Sequence, residues 1–255
     1  LAEVIILKRA LVTGASSGIG EVFSYELAKR GYETIIVARR LERLQTISDQ
    51  IERDLGVRSI PLKGDLTNEN DLVEVSKLLK DVDLLINNAG FGLIGPFEDI
   101  EADREMQMIK LNIGALYFLT KKYALIRNSI GGGIINVAST AAYLPVPGMA
   151  VYAATKAFVL SLSEAVSEEL QPKGFKVMVL SPGPTRTEFF DVASGGRRQL
   201  PGSMSPEEVV KRALDAFEKG KRSVVSGLIN KIIASGSRLV PRAVALKAAR
   251  RAFED

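Results

Sequence analysis

The 255-residue sequence contains neither cysteine nor histidine. That double absence excludes disulfides, thiolate metal sites, a cysteine nucleophile and a Ser-His-Asp triad. A metal would have to rely on oxygen ligands, and none is expected. Any acid–base chemistry must fall to Tyr, Lys, Asp or Glu. No apolar run approaches the roughly 18 residues that span a bilayer. Leu1–Leu7 is apolar but has no leading basic region and no following cleavage site, so a signal peptide is not expected. Residues 1–7 read instead as a short tag or a misassigned start. Without a linker, repeat or low-complexity stretch, the expected organisation is one domain over 1–255 in the cytoplasm.

Charge is unevenly spread. The formal net charge is +4, yet nine Lys/Arg face only two acids between Lys219 and Asp255, leaving the rest of the chain net negative. No basic stripe is interleaved with aromatics, so nucleic-acid binding is not expected.

Short apolar runs alternate with amphipathic segments. Strands are predicted at Ala10–Thr13, Thr34–Ala38, Arg58–Leu62, Leu84–Asn87, Gly133–Ala138, Lys176–Leu180 and Ser223–Ser226. The first six are Val/Ile/Leu-rich, as strands buried on both faces should be. Helices are predicted at Gly18–Arg30, Leu41–Leu55, Glu69–Leu79, Ala102–Asn128, Ala150–Gln171 and Pro206–Lys219, with Asn68 and Ser205 as N-caps. Strict alternation predicts an α/β, Rossmann-type, doubly wound parallel sheet of about seven strands, with right-handed crossovers and helices on both faces. A helical, basic, amphipathic C-terminal extension is expected over 228–255.

The first strand runs into Thr13-Gly14-Ala15-Ser16-Ser17-Gly18-Ile19-Gly20 and then a helix. Glycines there permit a tight turn and close approach of a pyrophosphate to backbone, and the helix N-terminus offers free N–H groups. A ligand-free glycine turn is the bland alternative, against which the strand–loop–helix context counts. The second strand ends in Val37-Ala38-Arg39-Arg40. An NAD site usually places an acid here for the ribose 2′-hydroxyl. Ala38 removes it, and Arg39 supplies a planar cation suited to a 2′-phosphate. NADP(H) is therefore the expected cofactor and NAD(H) the less favoured one, unless both arginines merely cap the strand in solvent. Tyr152 and Lys156 are four apart in a helical segment and share a face. An ammonium near the phenol would favour the phenolate and lower its pKa.

With Gly64-Asp65-Leu66, Asn87-Asn88-Ala89-Gly90, Asn112, Ser139, Tyr152-Ala153-Ala154-Thr155-Lys156 and Pro182-Gly183 in order, residues 8–187 resemble the short-chain dehydrogenase/reductase family. The resemblance implies a catalytic set of Asn112, Ser139, Tyr152 and Lys156. Tyr152 would pass the proton and Ser139 would hydrogen-bond the substrate oxygen. Lys156 would hold the nicotinamide ribose, and Asn112 would support a water relay. It also implies cofactor contacts at Gly14, Ser16, Ser17, Gly18, Ile19, Gly20, Arg39, Arg40, Asp65, Leu66, Asn88, Ala89, Gly90, Pro182, Gly183, Thr185 and Thr187. Asp65 would read the adenine, and Thr187 the carboxamide.

The implied function is hydride exchange with a small-molecule carbonyl or alcohol. Apolar segments around Leu144, Met149 and Phe189 suggest an apolar or small uncharged substrate, with 188–205 as a lid. A non-catalytic NADP(H) sensor and an epimerase or dehydratase of the same superfamily are the alternatives. The family implies a homodimer or homotetramer built on Ala102–Asn128 and Ala150–Gln171. The basic extension either packs on the protein or makes weak peripheral membrane contact, the first being favoured.

Overall fold

In the computed structural model of the chain, residues 8–194, 203–227 and 230 are described. Residues 1–7, the 195–202 part of the expected lid and nearly all of the 228–255 extension lie outside them.

Seven strands form one wholly parallel sheet: β1 (Lys8–Thr13), β2 (Tyr32–Ala38), β3 (Ser59–Lys63), β4 (Leu84–Asn87), β5 (Gly132–Val137), β6 (Phe175–Ser181) and β7 (Ser223–Val225). Their order is β3-β2-β1-β4-β5-β6-β7, so the direction of winding reverses between β1 and β4. In-register pairs such as Leu11↔Leu85 and Ile86↔Ile135 run through the middle of the sheet. These side chains are buried on both faces. Each Leu or Ile taken fully from water contributes roughly 1.5–3 kcal/mol, which explains the uninterrupted apolar runs.

Helices α1 (Gly18–Lys29) and α2 (Leu41–Leu55) cover one face through Phe23, Leu27, Leu44 and Ile51. On the other lie α3 (Glu69–Lys77), α4 (Ala102–Ile109), α5 (Leu116–Ile126) and α6 (Ala150–Leu170), where Val75, Leu119 and Tyr123 are buried. Asn68 and Ser205 cap α3 and α8 (Pro206–Glu218) as expected, Asn68 accepting from Asn70 and Asp71 N–H and Ser205 from Glu208 N–H.

Three features differ from the sequence reading. The long helix expected over Ala102–Asn128 is divided by a π-helical turn, Lys110–Ala115, centred on buried Asn112. A wider turn moves that side chain inward, away from the ordinary helical register. A short helix α7 (Phe189–Ser194) begins the segment expected to be a lid. Finally, α8 packs on the α1 face through Val209, Val210 and Ala213. The β6–β7 crossover is therefore left-handed, against the usual rule. The chain leaving β6 first runs along the carboxyl edge of the sheet, where Ala193 O of α7 accepts from Ile94 N at 3.0 Å, before α8 starts on the opposite face.

Candidate active site

The carboxyl ends of β1 through β6 and the helices that follow them bring the residues of interest to one edge, at and beside the winding reversal where α/β sheets leave a crevice. Thr13 stitches that reversal. Its Oγ1 accepts from Asn88 N and Ala89 N, each at 3.0 Å, and donates to Ile86 O at 3.2 Å. Asn88 Nδ2 returns bonds to Thr13 O and Gly14 O at 3.0 and 3.2 Å. Thr13 was visible in the glycine motif, but its structural role follows only from the β1–β4 pairing.

The glycine loop is shaped to leave backbone accessible. Gly18 has φ +57°, and a methyl group there would meet Thr187 Cγ2 at 2.9 Å. A methyl at Gly20 would meet Asn88 Nδ2 at 2.5 Å, so only glycine lets α1 dock this closely. Ser17 caps α1 without a side-chain hydrogen bond, so its hydroxyl engages none of the first-turn N–H groups. This cradle fits a pyrophosphate. Ser16 is buried and Ile19 packs partly into the core beneath it.

Arg39 and Arg40 are both exposed at the end of β2. Arg39 acts electrostatically on Asp65. Although burial raises the Asp65 pKa, hydrogen bonds from Thr67 and the Arg39 charge bring it below the usual carboxylate value. Asp65 Oδ1 accepts from Thr67 N and Oγ1 at 2.9 and 2.7 Å. The Leu66 side chain is in the core. Arg40 reaches back, its Nε donating to Ser16 Oγ at 3.2 Å and its Nη2 to Glu188 Oε2 at 3.0 Å.

On the other side of the crevice, Ser139 follows β5 and caps the turn Thr140–Ala142, accepting from Ala141 N at 3.1 Å. Tyr152 and Lys156 lie one turn apart on α6, both buried. Lys156 Nζ donates to Val137 O at 2.8 Å and lies 5.8 Å from the Tyr152 ring centre. Asn112 Oδ1 accepts from Phe91 N at 3.1 Å, while its Nδ2 donates to Phe91 O at 2.9 Å and Thr155 Oγ1 at 3.1 Å. Gly90 lies beside both, since a methyl there would meet Asn112 Oδ1 at 2.9 Å and Lys156 Nζ at 3.5 Å.

The electrostatics differ from the sequence expectation. Burial pushes the Tyr152 hydroxyl up to about 12, partly offset by a hydrogen bond with Ser139. Burial likewise pulls the Lys156 ammonium down to about 8. Desolvation dominates at both groups, because each neutral form is the better buried one.

Met108, Met149 and Tyr152 form an apolar cluster with Phe91, Val146 and Phe189 against them. Phe189 lies on Tyr152 with ring centres 5.3 Å apart. Leu144 is half-buried and outside this cluster, whereas Val146, two residues on, is within it. Met108 went unrecognised because it lies in Ala102–Asn128, a segment read, Asn112 apart, only as a long helix for subunit pairing. The β6 exit is held in place: Thr185 Oγ1 donates to Gly183 O at 2.9 Å, Thr187 Oγ1 accepts from Phe189 N at 3.3 Å, and Thr185 bridges Met204. Beyond Pro182, the Gly183 backbone lies against Asn230, whose Nδ2 donates to Ser226 O at 2.7 Å. The sequence pattern placed Glu188 only as the start of the expected lid and Asn230 only within the expected extension, with no role of their own. Among the described residues no helix is long and apolar enough to cross a membrane.

Residues 8–196 match the family model described as short chain dehydrogenase. An uncharacterized oxidoreductase of Staphylococcus aureus is 30% identical over 215 residues, covering 82% of this chain and 90% of that protein. A short-chain dehydrogenase from Sphingobium yanoikuyae, solved in complex with NADPH, superposes with TM-score 0.84 at 35% identity, covering 97% of this chain and 95% of that one. The bulky-bulky ketone specific alcohol dehydrogenase from Comamonas testosteroni gives TM-score 0.80 at 32% identity, covering 91% and 92%.

Proposed function

Since the chain belongs to the short-chain dehydrogenase family and is thereby a dehydrogenase/reductase, we propose that it uses NADP(H) to interconvert an apolar ketone or aldehyde and its alcohol. The observation that carries this reading is the buried pair Tyr152 and Lys156 beside half-buried Ser139, at the sheet's carboxyl edge next to an apolar cluster. The glycine loop and the first turn of α1 would hold the pyrophosphate, Arg39 and Arg40 the 2′-phosphate, and Asp65 the adenine. Lys156 would hold the nicotinamide ribose, and Thr187 the carboxamide. When bound, the cofactor supplies or accepts the hydride.

The chain's own residues manage the proton. A phenol with its pKa raised by burial stays protonated at neutral pH, so Tyr152 enters reduction as the acid and gives its proton to the carbonyl oxygen. Ser139 would donate a hydrogen bond to the same oxygen, stabilising the charge that grows there. Asn112 pins Phe91 and Thr155, and Thr155 Oγ1 in turn donates to Tyr152 O at 2.7 Å, fixing the phenol's turn of α6. In the alcohol-oxidising direction Tyr152 must first lose its proton, and Lys156 favours that loss when charged.

The apolar lining of Met108, Val146, Met149 and Phe189 supports a substrate without charge. Exposed Tyr117 and Leu125 on α5 and Phe158 on α6 support pairing of subunits through these helices, in a homodimer or homotetramer. A cytoplasmic location belongs to the same reading, as the compartment of a nicotinamide pool. The test is a panel of aliphatic and aromatic ketones, aldehydes and alcohols followed at the NADPH absorbance band, in parallel with NADH. Turnover of uncharged carbonyls with NADPH is expected. Exclusive turnover of charged carbonyls, or with NADH alone, contradicts it.

A further inference from the structure

The rim of the nucleotide crevice already holds a matched set of charges. Arg40 is gripped from two banks: Ser16 takes its Nε at 3.2 Å and, through the main-chain carbonyl, its Nη2 at 3.4 Å. Glu188, from the segment beyond β6, takes Nη2 at 3.0 Å. Nearby, Arg43 pairs with Glu21 at 3.5 Å, and Glu188 and Glu207 lie close enough to act on Glu21. Three carboxylates and two guanidiniums therefore share the place where a nucleotide's ribose phosphate would arrive. Arg39 stands apart, beside Asp65.

We propose that Glu188 is a cofactor-discriminating residue: its carboxylate holds Arg40, so a 2′-phosphate must compete with it while a free 2′-hydroxyl need not. This rests on the reading of Arg39 and Arg40 as the 2′-phosphate site. A guanidinium offers a limited planar set of donors, and Ser16 and Glu188 already engage two of its nitrogens. A dianionic phosphate wins the exchange, because an ion pair whose partners are about half exposed is weak. The displaced carboxylate nevertheless stays tethered to the rim and repels the phosphate. Glu188 thus lowers NADPH affinity by a modest factor and leaves NADH affinity nearly alone, narrowing the preference that the two arginines create.

The test is equilibrium fluorescence titration of NADPH and NADH into the full chain and its Glu188→Gln, Glu188→Ala, Arg40→Met and Arg40→Met/Glu188→Gln variants. Both Glu188 variants are expected to bind NADPH about three- to ten-fold more tightly. NADH should move by less than two-fold, and the gain should vanish in the double variant. Equal gains for both nucleotides, or unchanged or weaker NADPH binding, overturn the proposal when the unsubstituted protein prefers NADPH and Arg40→Met weakens it. A preference for NADH, or an Arg40→Met variant indistinguishable with either nucleotide, overturns the 2′-phosphate reading itself and the proposal with it.

Discussion

Lys156 directs its ammonium to the Val137 carbonyl, 2.8 Å away, while the centre of the Tyr152 ring lies 5.8 Å from the same nitrogen. The lysine is thus anchored to the end of β5 and supported independently of the phenol. That anchorage comes at the cost of burying a cation.

That cost is measurable. Burial lowers the folded-state Lys156 pKa to about 8 from an ordinary 10.5, so the unfolded chain holds more protons between those values and stability rises with pH across that window. Lys156→Met removes the cation but leaves Val137 O without its donor. We expect a net stabilisation of about 1–2 kcal/mol at pH 7 that fades toward pH 10.5. Urea unfolding of both proteins at pH 7, 8.5 and 10 measures it; a constant difference would refute the assigned burial cost.

Tyr152→Phe should reduce turnover by about 10²–10⁴-fold while preserving NADPH binding, since it deletes only the proton-bearing atom. In the unsubstituted enzyme, the raised phenol pKa predicts a sloped pH profile in one direction and a flat one in the other. Alcohol oxidation should climb from pH 7 to 9, and carbonyl reduction should not. Parallel profiles in the two directions would remove Tyr152 from the proton step.

Arg39→Ala should raise the NADPH dissociation constant about 10–100-fold, the worth of a charge-assisted hydrogen bond, with NADH shifted less than two-fold. Titration with both nucleotides decides it. A loss shared equally by the two would mean that Arg39 serves the fold or the adenine.

Gly18→Ala forces an L-residue to φ +57° and drives its methyl into Thr187. Left-handed backbone costs roughly 1–2 kcal/mol, so melting should fall by a few degrees, with more than ten-fold weaker NADPH binding as Thr187 shifts. Unchanged melting and unchanged affinity together would show that the loop relaxes freely.

The sequence by itself determined the fold class, because strands buried on both faces must be continuously apolar and helices buried on one face must be periodic. It also determined the chemistry available: with no His or Cys, Tyr152 and Lys156 at helical spacing stood out, as did the glycine loop and the arginines after β2. Only tertiary structure decided what depends on contacts far apart in the chain. The Thr13–Asn88 stitch, the Arg40–Glu188 pair and the Phe189 ring over Tyr152 join segments that share no local pattern. Spacing also could not show that Asn112 sits in a π turn, or that α8 crosses to the α1 face. The Tyr152 pKa is the clearest case. Spacing along a helix reports that an ammonium is near, but desolvation depends on everything packed around the pair, and here burial outweighs proximity.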